Sequence, residues 1–136
     1  MHTVKEVAEM LGFTEHTVRF YTDKGLIPGV KRDKNNIRKF DEEAINWLIG
    51  VKHLKECGMS LESIKEYVEL CLEGDSTIDV RYQIILRQQE IARTQVEEAK
   101  TRLNYMEKKA ELYREIAARH IPDSMNPGKW PVNSTG

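Results

Sequence analysis

Few residues in this chain have both the type and the spacing that chemistry needs, and those that do point to phosphate and base recognition. Lys24, Lys31, Arg32, Lys34, Arg38 and Lys39 crowd into residues 24–39 against Asp33 alone. Just upstream, His16, Thr17, Arg19 and Tyr21 supply donors that reach base edges and phosphate oxygens in a DNA groove. Of these, His16, Thr17 and Arg19 are read as base or near-base contacts. Tyr21, Lys31, Arg32, Arg38 and Lys39 are read as phosphate contacts that set register. The other reactive groups are scattered. Cys57 and Cys71 make no disulfide framework, and His2, His16, His53 and His120 lack metal-ligand spacing, so neither metal nor cofactor is expected. The chain has no glycine-rich phosphate loop and no Ser/His/Asp arrangement, which argues against an enzyme.

The elements that must position those donors are short helices with clear caps. Thr3 and Glu6 form a capping box, and Val4, Val7, Ala8 and Leu11 then follow at helical spacing as a core-facing stripe. Gly12-Phe13 makes a tight turn. Thr14 caps a second helix that Val18 anchors inward and Gly25 ends. Two helices joined this way form a helix-turn-helix, whose second helix enters a groove of DNA. Pro28-Gly29 breaks the chain, and residues 30–40 suit a hairpin turning between Asp33 and Asn36. Asp41 begins a third helix with Ala44, Leu48 and Val51 on one face. Gly58 ends it, and Ser60 caps a fourth with Leu61, Ile64, Val68 and Cys71 inward.

From Ile78 the pattern becomes a sustained heptad. Ile78, Tyr82, Ile85, Gln89, Ala92, Val96, Ala99, Leu103, Met106, Ala110, Tyr113 and Ala117 alternate spacings of four and three, and all but Gln89 are apolar or aromatic. No Gly or Pro interrupts residues 76–120, so a hairpin within one chain has no place to turn. A helix of about 40 residues reaches roughly 60 Å and would leave such a seam in water, so it needs a second copy. Ile85, Gln89, Ala92, Val96, Ala99, Leu103 and Met106 are the expected dimer interface, with the Gln89 amide available to fix register. The heptad does not give the direction of pairing.

Val18-Arg-Phe-Tyr21, Lys24-Gly-Leu-Ile27, the basic wing ending in Arg38 and Phe40, and Gly58-Met-Ser60 between two helices stand in an order that resembles the MerR family of bacterial transcription regulators. The wing departs from the usual pattern in carrying Ile37 where the family has Tyr. The resemblance implies antiparallel pairing of the long helix. It also implies a dimer that bends and untwists an over-long promoter spacer for RNA polymerase, under control of a small-molecule or stress signal. Metal-sensing members place cysteines just beyond the dimerisation helix, and this chain has none there. Members that sense aldehydes or nitrosative stress use a cysteine in the third helix. The aligned position falls near His53, so Cys57 is close to that cysteine without matching it. Cys57 is therefore the candidate sensor thiol, set against a purely structural role.

Length and charge agree with this reading. At 136 residues the chain holds one small domain and an extension, and its net charge of −1 hides the local cationic cluster. The expected fold is mainly α: a winged helix-turn-helix DNA-binding domain over 1–75, a coiled-coil dimerisation helix over 76–120 and a flexible tail over 121–136. The expected function is a homodimeric, cytoplasmic regulator that binds double-stranded promoter DNA, with no membrane partner. The alternative is an excisionase-like architectural protein without an inducer.

Overall fold

The computed structural model describes residues 1–132. The last four residues of the expected tail lie outside the described residues. The order is α1 (Val4–Leu11), α2 (Glu15–Asp23), β1 (Lys31–Arg32), β2 (Arg38–Lys39), α3 (Glu42–Glu56), α4 (Leu61–Glu73) and α5 (Ile78–Arg119), with single 3-10 turns at Asp75–Thr77 and Pro127–Lys129.

Caps set the helix boundaries. The Thr3 hydroxyl accepts from the Glu6 amide and the Glu6 carboxylate accepts from the Thr3 amide, completing the box. Those bonds, the Thr3 amide first, hold the Glu6 carboxyl below the usual carboxylate range. Thr14, Asp41 and Ser60 accept from the amides of Thr17, Ala44 and Ser63 and start α2, α3 and α4. Gly12 adopts φ +70°, a left-handed conformation that ends α1 and turns the chain into α2 at little steric cost.

Two compact units divide the chain, residues 1–92 and residues 93 onward. The core of the first lies among α1, α2, the wing, α3 and α4. Val7, Val18, Leu26, Phe40, Leu48, Met59 and Ile64 are all essentially inaccessible. Burying a side chain of this size contributes about 1.5–3 kcal/mol before entropy is counted. Phe40 also closes the unit, because its amide and carbonyl exchange 2.8 Å hydrogen bonds with those of His2. The first unit extends further than residue 75. Ile84 of α5 is buried in the same core, and the Gln88 side-chain amide donates to the Cys57 carbonyl at 3.1 Å. The α4–α5 junction is fastened by polar bonds. The Thr77 hydroxyl donates to the carbonyls of Leu70 (2.6 Å) and Gly74 (2.8 Å), while Arg81 donates to Thr77 Oγ1 and the Gly74 carbonyl. Leu61 and Cys71, expected to face inward, are half-buried.

In the second unit α5 continues to Arg119. Beyond it, Asn126 caps the turn at Pro127–Lys129, and the Trp130 indole N–H donates to the Ser124 carbonyl at 2.9 Å.

Candidate nucleic-acid interface

The second helix of the helix-turn-helix presents its polar face outward. His16 and Arg19 are exposed, Thr17 is half-buried, and Val18 on the opposite side is wholly buried. Thr17 takes part in the cap, its hydroxyl oxygen accepting from Thr14 Oγ1 at 2.8 Å. The Arg19 guanidinium donates to the Glu15 carboxylate at 3.1 Å, one turn earlier. Arg19 thus reaches the surface already oriented by an acidic neighbour.

The wing is a hairpin of two two-residue strands in which Lys31 pairs with Lys39 and Arg32 with Arg38. Its turn is built by Asp33, whose carboxylate accepts from the amides of Asn35 (2.8 Å) and Ile37 (3.0 Å). Asn36 takes the left-handed conformation at φ 61° that asparagine tolerates. Arg32 closes the loop by donating to the Asn36 carbonyl at 3.0 Å. The amide bonds, that of Ile37 first, hold the Asp33 carboxyl below the usual carboxylate range. A carboxylate lowered in this way supports the turn above its unfolded pKa, and the support is lost as pH falls through the lowered value. Asp33→Ala is expected to speed amide exchange at Ile37 and weaken DNA binding a few-fold. Asp33→Asn, which keeps an acceptor oxygen, should stay closer to wild type.

Arg38 joins the wing to α2. Its guanidinium donates to Thr22 Oγ1 at 3.0 Å and forms a short ion pair with Asp23, and its side chain is only 16% exposed. Arg38 is therefore a strap between hairpin and helix as much as a cationic surface group. Its place in the basic wing suggested a phosphate role but did not reveal Thr22 and Asp23 as its partners. A contact across sixteen residues of chain leaves no trace in helical spacing.

Lys5 of α1, Glu15 and Arg19 of α2, and Arg32, Ile37 and Arg38 of the wing line an open basin of about 410 Å³. Lys5 is a further cation absent from the sequence-level set. Lys31 is exposed and Lys39 half-buried on the paired strands. One expectation requires correction. Tyr21, read as a phosphate contact, is a core residue only 7% exposed. Burial raises its phenol above the ordinary range, with Glu56 adding to the shift and Lys52 opposing it, and Tyr21 is not among the residues that line the cationic basin. The helix period explains this placement: Tyr21 falls three residues after Val18 and shares its inward face.

Residues 2–71 match the model of the MerR HTH family regulatory proteins. This chain belongs to the MerR family. It is 33% identical over 133 residues to an uncharacterized HTH-type transcriptional regulator of Haemophilus influenzae, covering 98% of both chains. It is 42% identical over 82 residues to the regulator AdhR of Bacillus subtilis, a match spanning 60% of this chain and 59% of AdhR. Among solved structures it resembles HiNmlR, a MerR family regulator lacking the sensor domain, bound to promoter DNA. That match has TM-score 0.72 and 35% identity, and covers 86% of this chain and 93% of the other. The protein is a MerR family transcription regulator, mainly helical, with a long C-terminal helix.

In this MerR regulator the heptad positions of α5 are open within one chain. In the first unit, Ile85, Gln89 and Ala92 line an apolar cavity of about 230 Å³ together with Leu54, Cys57 and Met59. In the second unit, Val96, Leu103 and Met106 are 52%, 59% and 59% exposed, and Ala99 is exposed as well. Cys57 is exposed at the C-terminal cap of α3, and Cys71 is half-buried with the Arg81 guanidinium 3.7 Å from its sulfur. Among the described residues no cluster of three or more His, Cys, Asp or Glu could hold a metal ion, and no helix is long and apolar enough to cross a membrane.

Proposed function

We propose that this regulator acts in the cytoplasm as a homodimer on double-stranded promoter DNA, and that it regulates transcription rather than catalysing a reaction. The observation that carries the reading is the convergence of Lys5, Arg19, Arg32 and Arg38 from α1, α2 and the wing on one basin beside an exposed helix face. Such a surface matches a phosphate backbone flanking a readable groove. His16, Thr17 and Arg19 contact or approach base edges, while Lys31, Arg32, Arg38 and Lys39 engage phosphates and hold the register. HiNmlR, similar to this chain and solved bound to promoter DNA, supports carrying this mode over.

Dimerisation through the α5 seam sets two recognition helices at a fixed separation. Deforming the DNA between them costs a few kcal/mol, offset by the contacts the bend permits. RNA polymerase then engages both promoter elements. A small-molecule or stress signal acts by favouring one dimer geometry, which requires unequal affinity for the two states. Footprinting on promoters recovered by the protein from genomic fragments tests the reading: protection of two symmetric half-sites is expected, and salt-insensitive or absent protection would refute it.

Cys57 is the candidate sensor thiol, exposed beside the apolar cavity. It does not line the cationic basin. Cys57→Ser is therefore expected to leave promoter affinity unchanged, and induction is expected to persist. A thiol that alkylates much faster than free cysteine, with induction lost in the Ser variant, would instead make the protein a covalent stress sensor.

A further inference from the structure

We propose that Glu15 is a specificity-determining residue, holding Arg19 in place and accepting a hydrogen bond from the amino group of cytosine in the major groove. The inference rests on the DNA reading above and adds to it a residue that selects sequence by excluding the wrong one. Glu15 is the one carboxylate among the described residues lining a basin otherwise charged by Lys5, Arg19, Arg32 and Arg38. A carboxylate turned toward a polyanion weakens binding to every duplex. Its presence there calls for a compensating contact on the right one.

A carboxylate in the first turn of α2 suits the helix dipole, but the contribution at an exposed position is small, so the fold's demand for a charge here is modest. Thr14 already caps α2, and the Glu15–Arg19 pair is solvent-accessible, with side chains 44% and 53% exposed. Exposed pairs of this spacing contribute little to stability. Oε1 of Glu15 holds the Arg19 guanidinium at 3.1 Å, and Oε2 has no hydrogen-bond partner among the described residues. The pair thus presents a free acceptor beside a fork of donors, one helical turn apart on the exposed face of α2.

In the major groove, cytosine offers an N4 donor while guanine offers the O6 and N7 acceptors. Glu15 suits an amino donor and Arg19 the guanine acceptors. Adenine N6 is a donor too, and it is Arg19 taking guanine that favours cytosine, guanine's partner on the same base pair. Where a duplex places guanine or thymine acceptors opposite Glu15, oxygen meets oxygen with no proton between them, and the carboxylate is desolvated without return. This is discrimination by repulsion, which sharpens selectivity at the expense of general affinity.

Selection from a randomised duplex pool with the full-length wild-type chain supplies an enriched duplex, and a scrambled duplex of the same length serves as reference. Glu15→Gln keeps the side-chain shape and removes the charge. It is expected to bind the scrambled duplex about tenfold tighter at the same salt while binding the enriched duplex no tighter, so the specificity ratio falls about tenfold. Repeating the selection with Glu15→Gln should lose the cytosine preference at one position per half-site. An unchanged melting temperature would show that folding is not the cause. Equal strengthening on both duplexes would mean simple charge relief and overturn the proposal, as would an unchanged ratio. A wild-type chain that enriches no duplex would overturn the DNA reading itself.

Discussion

Replacing Val96 and Leu103 together with glutamate is expected to convert the protein to monomers and abolish tight promoter binding. Both side chains sit on the heptad seam of α5 and are more than half exposed within one chain. Pairing with a second copy would bury them, and the double variant would then place four carboxylates in an apolar seam. Burying unpaired charge costs several kcal/mol, enough to separate copies at micromolar concentration. The DNA-binding unit should keep its fold, because its core lies within residues 1–92 and neither substituted residue belongs to it. Light scattering should report half the wild-type mass, with affinity for a two-half-site promoter reduced by orders of magnitude. A variant that still scatters as a dimer would place the interface elsewhere.

Arg38→Ala should have the second-largest effect, for two separable reasons. It removes a cation from the basin, which lowers the salt dependence of DNA binding by about one unit of slope. It also cuts the wing free of Thr22 and Asp23, so the remaining wing cations no longer sit at a fixed distance from α2. Affinity should fall about tenfold or more on every sequence, with base preference retained, because the residue is not read as a base contact. Arg38→Lys separates the two causes. It restores the charge without the planar fork that serves Thr22 and Asp23 together, so the salt slope should recover while wing order does not. Full binding by Arg38→Ala would mean that the strap and the phosphate contact are both dispensable.

Much of the first unit was legible because its signals are local. Thr3, Thr14, Asp41 and Ser60 act as caps where sequence placed them, and Asp33 and Asn36 turn the wing as expected. Of the stripe Val4, Val7, Ala8 and Leu11, the first three are buried on one face of α1 and Leu11 is half-buried. What spacing could not show were contacts set by tertiary geometry. Tyr21 carries a hydroxyl that suggests phosphate, yet its position relative to Val18 turns it inward, and the period was the better guide. Arg38 was legible as a cation but not as a strap, because Thr22 and Asp23 become its neighbours only once the hairpin folds back. Glu15 was hidden differently: its spacing to Arg19 is visible in sequence, but its place among four cations requires Lys5 and the wing to be brought to it. Ile84 was missed because it lies off the heptad beside Ile85, and only tertiary packing brings it into the first unit's core.

The most direct test of a dimer that grips DNA through α2 and the wing is the stoichiometry on one duplex. Sedimentation of a fluorescent duplex enriched by the protein, titrated with the full chain, should give a single complex of two chains per duplex. Arg19→Gln combined with Arg38→Ala should leave the free protein dimeric while the complex disappears. A complex of one chain per duplex, or full binding by that double variant, would contradict both the seam and the surface on which the reading stands.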